Sequence, residues 1–226
     1  WSGHRVVEVA AGYSHSLALL DDGSVWTWGA GGSGQLGNGQ TANSSVPVAV
    51  LSPTAWIGHR VMSIAGGGNH SLALLDDGSV WAWGYGATGQ LGQGQFANTT
   101  VPVAVAAPPA WSGHRVAGVA AGYSHSLALL EDGTAWAWGR GASGQLGNGQ
   151  TANSSVPVAV STPAVWTGHR VTSVSAGEAH SLAVLDDGSA WAWGYGTYGE
   201  LGNGQAVNSA VPVAVAAPAA WTGHTV

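Results

Sequence analysis

Apolar residues in this chain arrive in short runs, each closed by a cluster of Gly, Asp, Ser or Asn. The first four runs are Val6 to Ala11, His15 to Leu20, Val25 to Gly29 and Val46 to Val50. Short runs rich in Val, Leu and Trp and bounded by turn residues predict β-strands, not helices. Gly12-Tyr13-Ser14 turns the chain between the first two. Asp22-Gly23, between the second and third, predicts a two-residue type I′ hairpin with positive φ at both central residues. That loop sets Leu19 opposite Trp26 and Leu17 opposite Trp28. Because side chains alternate along a strand, His15, Leu17, Leu19, Trp26 and Trp28 are then expected on one bulky face. Ser16, Ala18, Thr27 and Gly29 make the small face behind it. Pro47 has no N–H to give a ladder, so the fourth strand is expected at an edge. A Gly-rich polar loop, Ala30 to Ser45, carries Gly34-Gln35-Leu36-Gly37, and a second loop runs from Leu51 to Arg60.

The whole pattern then begins again. Trp1, Trp56, Trp111, Trp166 and Trp221 recur every 55 residues, each opening the phrase W-x-G-H. The repeats are 1–55, 56–110, 111–165 and 166–220, with 221–226 starting a fifth copy, and 1–226 reads as a single repeat domain. The first and third copies differ at 12 of 55 positions by mild changes such as Asp21 to Glu131, the drift expected of recent duplication. A sheet that is bulky on one side and small on the other packs on a copy of itself, with one neighbour ahead and one behind. Four short strands per period are a propeller-blade pattern. The expected fold is therefore all-β: a β-propeller of four-stranded antiparallel blades, one repeat per blade.

Charge narrows the partners. The chain has 5 Arg and no Lys against 11 acidic residues, for a net charge of −6. A duplex-binding surface needs many cations, so no nucleic-acid partner is expected. No cysteine is present, which rules out disulfides, thiolate zinc sites and thiol nucleophiles. No segment reaches the 18 or so apolar residues of a membrane span. Opening at Trp inside a repeat reads as a fragment or processed product. Abundant Gly, Ser, Thr, Asn and Ala with little charge suits an extracellular or cell-surface protein, bacterial in character, with the cytoplasm left open.

Several constellations invite a chemical reading, and each has a plainer one. His15, His70, His125 and His180 stand in G-x-x-H-S-L and read as buried imidazoles that hold the strand turn. His4, His59, His114, His169 and His224 have Gly and Arg as neighbours and no carboxylate at ligand spacing, so loop hydrogen bonds are expected and no metal. Asp21-Asp22 and its copies sit on hairpins, where Asp caps a turn, and a catalytic pair needs two unlike environments. Gly29 to Gly34 has no helix or Lys after it to bind phosphate. Trp26, Trp28, Trp81, Trp83, Trp136, Trp138, Trp191 and Trp193 are expected to be buried in the blades. The Trp of W-x-G-H reads as a plug between blades, with sugar stacking and an interface anchor as the other possibilities.

Val9-Ala10-Ala11-Gly12-Tyr13-Ser14-His15-Ser16-Leu17-Ala18-Leu19, Asp22-Gly23, Trp26, Trp28-Gly29 and Gly34-Gln35-Leu36-Gly37 resemble the regulator of chromosome condensation repeat, and the match recurs in all four copies. The family's W-G-x-N has Gly31, Gly86, Gly141 and Gly196 in place of Asn. The resemblance implies a propeller, usually seven-bladed, in a family made mostly of protein-interaction modules. It also implies a structural role for His15 and its copies. The founding member's exchange activity on a small GTPase depends on one-off loop residues that break its symmetry, and this chain has few.

Those few are Glu8, Arg140, Glu178, Tyr198 and Glu200, the expected partner-binding positions. The ends are also informative. Stacked repeats usually end in polar caps, whereas here the first and fourth copies are as apolar as the rest. The array is expected to close on itself, to form part of a larger propeller or a two-copy ring of eight, or to continue into a filament. The function read from the sequence is a non-catalytic scaffold for protein interaction or self-assembly, with no cofactor. Its alternatives are a multivalent carbohydrate-binding module and, further off, an exchange factor.

Overall fold

The computed structural model describes residues 3–217 and is all-β. Four antiparallel sheets follow one another along the chain, each built from one copy of the repeat. The first holds β1 (Val6–Ala11), β2 (His15–Leu20), β3 (Val25–Gly29) and β4 (Ser44–Ala49) in that spatial order. The second holds β5 (Val61–Gly66), β6 (His70–Leu75), β7 (Val80–Gly84) and β8 (Thr99–Ala104). The third holds β9 (Val116–Ala121), β10 (His125–Leu130), β11 (Ala135–Gly139) and β12 (Ser154–Ala159). The fourth holds β13 (Val171–Ala176), β14 (His180–Leu185), β15 (Ala190–Gly194) and β16 (Ser209–Ala214). The proline-bearing strand is an edge strand in every blade, but β4 starts and ends earlier than the Val46–Val50 run. The loop after it carries a one-turn 3-10 helix, Thr54–Trp56, recurring as Pro109–Trp111 and Ala164–Trp166. Trp1 and Trp221 to Val226, with the start of a fifth copy, lie outside the described residues.

The hairpin corrects the expected register. Leu20 N–H donates to Ser24 O at 2.9 Å and Gly23 N–H to Leu20 O at 2.9 Å, closing a three-residue loop. Gly23 takes φ +86°, and among the described residues no non-glycine has positive φ, so Asp22 cannot sit in a type I′ turn. Left-handed backbone falls to Gly23 alone, the form of a three-residue hairpin with a glycine bulge. Asp22 Oδ1 accepts from Ser24 N–H (2.9 Å) and Ser24 Oγ–H (2.7 Å), which fixes the loop. Pairing therefore runs His15 to Gly29, Leu17 to Thr27 and Leu19 to Val25, with Ser16 opposite Trp28 and Ala18 opposite Trp26. A one-residue slip moves a side chain to the other face. The tryptophans consequently leave the His/Leu face and share the other one with Ser16, Ala18 and Leu20.

Unlike faces still stack. Leu17, Leu19 and Val25 of the first blade pack on Ala73, Leu75 and Trp83 of the second, with Trp56 and Val61 filling the join. Leu72, Leu74 and Val80 repeat the contact on Ala128, Leu130 and Trp138, and Leu127, Leu129 and Ala135 on Ala183, Leu185 and Trp193. Each large buried side chain in these joins stabilises by roughly 1.5–3 kcal/mol. The first strands of successive blades touch and so line a common axis. Tyr13 N–H donates to Gly67 O (3.1 Å), Gly68 N–H to Gly122 O (3.2 Å) and Tyr123 N–H to Gly177 O (3.3 Å).

Two faces have no blade against them among the described residues: the Trp28 face of the first blade and the Leu182 face of the fourth. Trp28 is half-buried, whereas Trp83, Trp138 and Trp193 are 0% exposed. Leu182 and His180 are half-buried, whereas Leu17, Leu72 and Leu127 are 0% exposed. Trp26, Trp81 and Trp136 lie nearer the hairpin and are also half-buried, so burial of every blade tryptophan was an overstatement; Trp191 is buried. The indole N–H of each of the three half-buried ones, and of Trp191, reaches the Ser or Thr two residues before it.

Candidate functional site

Chemically active side chains gather in three places: the joins between blades, the hairpin ends, and a cavity across the loops of the third and fourth blades. At the first join the His15 ring faces Ser71 Oγ at 2.9 Å across the blades. Ser71 Oγ–H donates to the main-chain carbonyl of Gln35 (3.0 Å), and Trp83 Nε1–H donates to that same oxygen (2.9 Å). A hydroxyl has one proton to give. Ser71 spends it on Gln35 O, so it accepts from His15 Nε2–H, and the imidazole is the neutral Nε2–H tautomer with a bare, buried Nδ1. Burial pushes His15 down to about 4 and both His70 and His125 down to about 3. The latch recurs as His70, Ser126, Gln90 O and Trp138, and as His125, Ser181, Gln145 O and Trp193.

The glycines around this latch are required by it. A methyl group at Gly67 would overlap the His70 ring and lie 2.6 Å from Gly122 O. Gly37, at φ +65°, would place a methyl 2.8 Å from Trp83 Nε1. The phrase Gly34-Gln35-Leu36-Gly37 looks like a plain polar loop in the sequence, yet it delivers the acceptor that joins two blades. Thr27 Oγ1–H to Leu36 O (2.6 Å) pins it from its own blade. The readable signal is the fixed offset between G-Q-L-G and the H-S and second Trp of the next copy.

At the hairpin ends a carboxylate does stand beside the second histidine set, against expectation. His59 Nδ1 lies 2.9 Å from Asp76 and Nε2 3.8 Å from Asp77. His4 and His169 repeat this with Asp21-Asp22 and Asp186-Asp187, and His114 with Asp132 at 3.6 Å. The partners are 17 or 18 residues apart in the chain, so neighbour spacing could not reveal them. His59, Asp76 and Asp77 offer three ligand atoms within 4.8 Å of one another, all exposed. In His4, His59 and His169 each ring nitrogen faces its own carboxylate, which ties the loop before each blade to the hairpin. His224 lies outside the described residues. The plug reading of the W-x-G-H Trp fits the burial of Trp56, Trp111 and Trp166, at 7%, 7% and 5% exposed.

Four of the five symmetry-breaking residues converge. Arg140, Glu178, Tyr198 and Glu200 line one cavity of about 510 Å³ that spans loops of the third and fourth blades, with Ser143, His180 and Tyr195. Tyr195 and Tyr198 meet edge to face at 5.9 Å, and Tyr198 N–H donates to a Glu200 carboxylate oxygen at 2.9 Å. One cation, two carboxylates and two phenols around a shallow hollow are chemistry for a mixed polar and aromatic partner surface. Glu8 stands apart, its carboxylate accepting from Ser63 Oγ–H (3.0 Å) of the next blade. Among the described residues no helix is long and apolar enough to cross a membrane.

Comparison with known proteins agrees with this architecture. The chain is 32% identical over 216 residues to the ultraviolet-B receptor UVR8 of Arabidopsis thaliana, covering 96% of this chain and 47% of that one. It is 35% identical over 213 residues to the human E3 ubiquitin-protein ligase HERC2, covering 93% of this chain and 4% of the ligase. The crystal structure of yeast RCC1 superposes with a TM-score of 0.82 at 28% identity, covering 97% of this chain and 50% of that one. Human WBSCR16 gives 0.81 at 29%, covering 98% and 54%. The chain thus spans half or less of the two curated relatives, which are eukaryotic, and the bacterial reading rests on composition alone. The RCC1-like domain model matches residues 2–226, and the chain belongs to that family.

Proposed function

We propose that this chain is a non-catalytic propeller scaffold for protein interaction or self-assembly. The observation that carries this reading is the convergence of Arg140, Glu178, Tyr198 and Glu200 on one cavity across the loops of the third and fourth blades. In a chain that otherwise repeats itself, four of the residues that break the repeat meet at one cavity. The histidines with displaced pKa values lie inside the blade joins, where desolvation explains them without catalysis. Yeast RCC1, a relative of known structure, is described as binding Gsp1p and histones, in line with a protein-binding use of the fold. Sugar stacking loses its platform, since Trp56, Trp111 and Trp166 are buried. Little charge with abundant Gly, Ser, Thr, Asn and Ala supports placement outside the cytoplasm.

Photocrosslinking tests the reading. With Tyr198→p-benzoylphenylalanine, ultraviolet light is expected to yield one discrete protein adduct, identified by mass spectrometry. The same group at Phe96, exposed on a second-blade loop, is expected to yield none. No protein adduct at position 198 would overturn the reading, and glycan-array binding in its place would establish the carbohydrate alternative.

A further inference from the structure

One position of the repeat carries unlike side chains in a setting that never changes. Within G-x-x-H the copies hold Tyr13, Gly68, Tyr123 and Glu178, each after an unvarying Gly and two before an unvarying His. All four lie on the turn between the first and second strands of their blades. The backbone places them: Tyr13 N–H donates to Gly67 O, Gly68 N–H to Gly122 O and Tyr123 N–H to Gly177 O. The first three turns are thus each held by the next blade, and all four line one cavity of about 470 Å³ at the mouth of the common axis. Gly68 leaves the second blade bare there. A methyl group on it would come within 2.9 Å of the Tyr123 ring, so the glycine lets Tyr123 lean across to Tyr13. The two ring centroids stand 5.5 Å apart with their planes at 78°. Tyr13 is 75% and Tyr123 39% exposed, and Glu178 is exposed as well.

We infer that this mouth is a seat for the ammonium group of a lysine side chain on a partner protein. Two phenol rings at near right angles make two walls of a corner. An aromatic face is electrostatically negative, and a cation is attracted to it within about 6 Å of the ring centroid. Centroids 5.5 Å apart let one ammonium meet that condition for both rings. Glu178 is the only charged side chain that lines the cavity, and no ion pair among the described residues engages it. The neighbouring cavity shares Glu178 but is a poorer seat. Arg140 already brings a cation to it, and Tyr198 N–H occupies a Glu200 carboxylate oxygen. The seat deepens the scaffold reading, on which it rests, by naming the group that holds the partner. It is built from joins the chain makes within itself.

Tyrosine-ring NMR tests it, because the protein has only 5 tyrosines to resolve. With the rings carbon-labelled, N-acetyl-lysine methylamide is expected to shift the Tyr13 and Tyr123 signals saturably and to leave those of Tyr85, Tyr195 and Tyr198 in place. The norleucine analogue keeps the carbon chain without the charge and is expected to shift none. Tyr13→Leu identifies one of the two signals. It is expected to weaken the lysine probe about two- to fivefold, as loss of an exposed cation–π contact does. Glu178→Gln is expected to weaken it by up to about fivefold, the range of an exposed ion pair. Both side chains are exposed, so tyrosine signals unchanged elsewhere show that the variants are folded. An equal response to norleucine, shifts confined to Tyr195 and Tyr198, or variants that bind as the parent does would overturn the inference. If the probe shifts nothing while position 198 crosslinks to a protein, the scaffold reading stands and the ammonium seat falls. If the probe binds as expected while position 198 yields no adduct, the seat stands without that reading.

Discussion

Trp83 and Trp28 occupy the same position in two copies of the repeat, and the difference between them is made by the neighbour. Trp83 is 0% exposed and gives its indole N–H to Gln35 O at 2.9 Å, while Trp28 faces outward. Trp83→Ala is expected to cost about 3–5 kcal/mol, the usual loss for a buried aromatic. Trp28→Ala is expected to cost less than half of that. Urea melts of the two variants make the comparison. Equal losses would show that the Trp28 face is covered within a single chain. Residue identity alone could not reveal this contrast, because the same W-x-W-G stands in every copy and only the blade packed against it tells the copies apart.

The strands, their order and their length were legible, since short Val/Leu/Trp runs between Gly and Asp clusters leave few alternatives. The register was not, and the reason is local. Asp-Gly serves a two-residue type I′ turn and a three-residue loop with a left-handed Gly equally well, and only the φ of Asp22 decides. That one choice moves Trp26 and Trp28 across the sheet. The latch was half legible: G-x-x-H suggested a held imidazole, but its partners Ser71 and Gln35 O come from other elements. The glycines of this motif differ in what they protect. Gly67→Ala drives a methyl into the His70 ring and is expected to cost about 3 kcal/mol or more, as overpacking of a tight join does. Gly58 has φ +87° with nothing within 4 Å of a built Cβ, so Gly58→Ala should cost only the roughly 1–2 kcal/mol of a left-handed alanine. Thermal melts that rank the two in the opposite order would remove the His70 contact as the reason for Gly67.

At the scale of the whole molecule, three identical joins titrate together. His15 is held at about 4 and His70 and His125 at about 3, each because burial disfavours the charged ring. In the unfolded chain these rings take up protons near pH 6.5. Below that pH the unfolded state binds protons that the folded state refuses, so stability is full above pH 6.5 and is lost as pH falls toward 4. Each ring contributes about 1.4 kcal/mol per pH unit across that window, so three together give a slope of about 4 kcal/mol per unit. The hairpin aspartates whose carboxyls are held low, Asp22 and Asp187 among them, by bonds from the following serine, act only below about pH 4, a later window. Urea midpoints of the chain between pH 7 and pH 5 are expected to fall steeply. His125→Gln is expected to flatten the slope by about a third, one ring in three. A midpoint that stays level across that range would mean the rings are solvated in the fold, and the neutral Nε2–H latch would then be the wrong account of how the blades are joined.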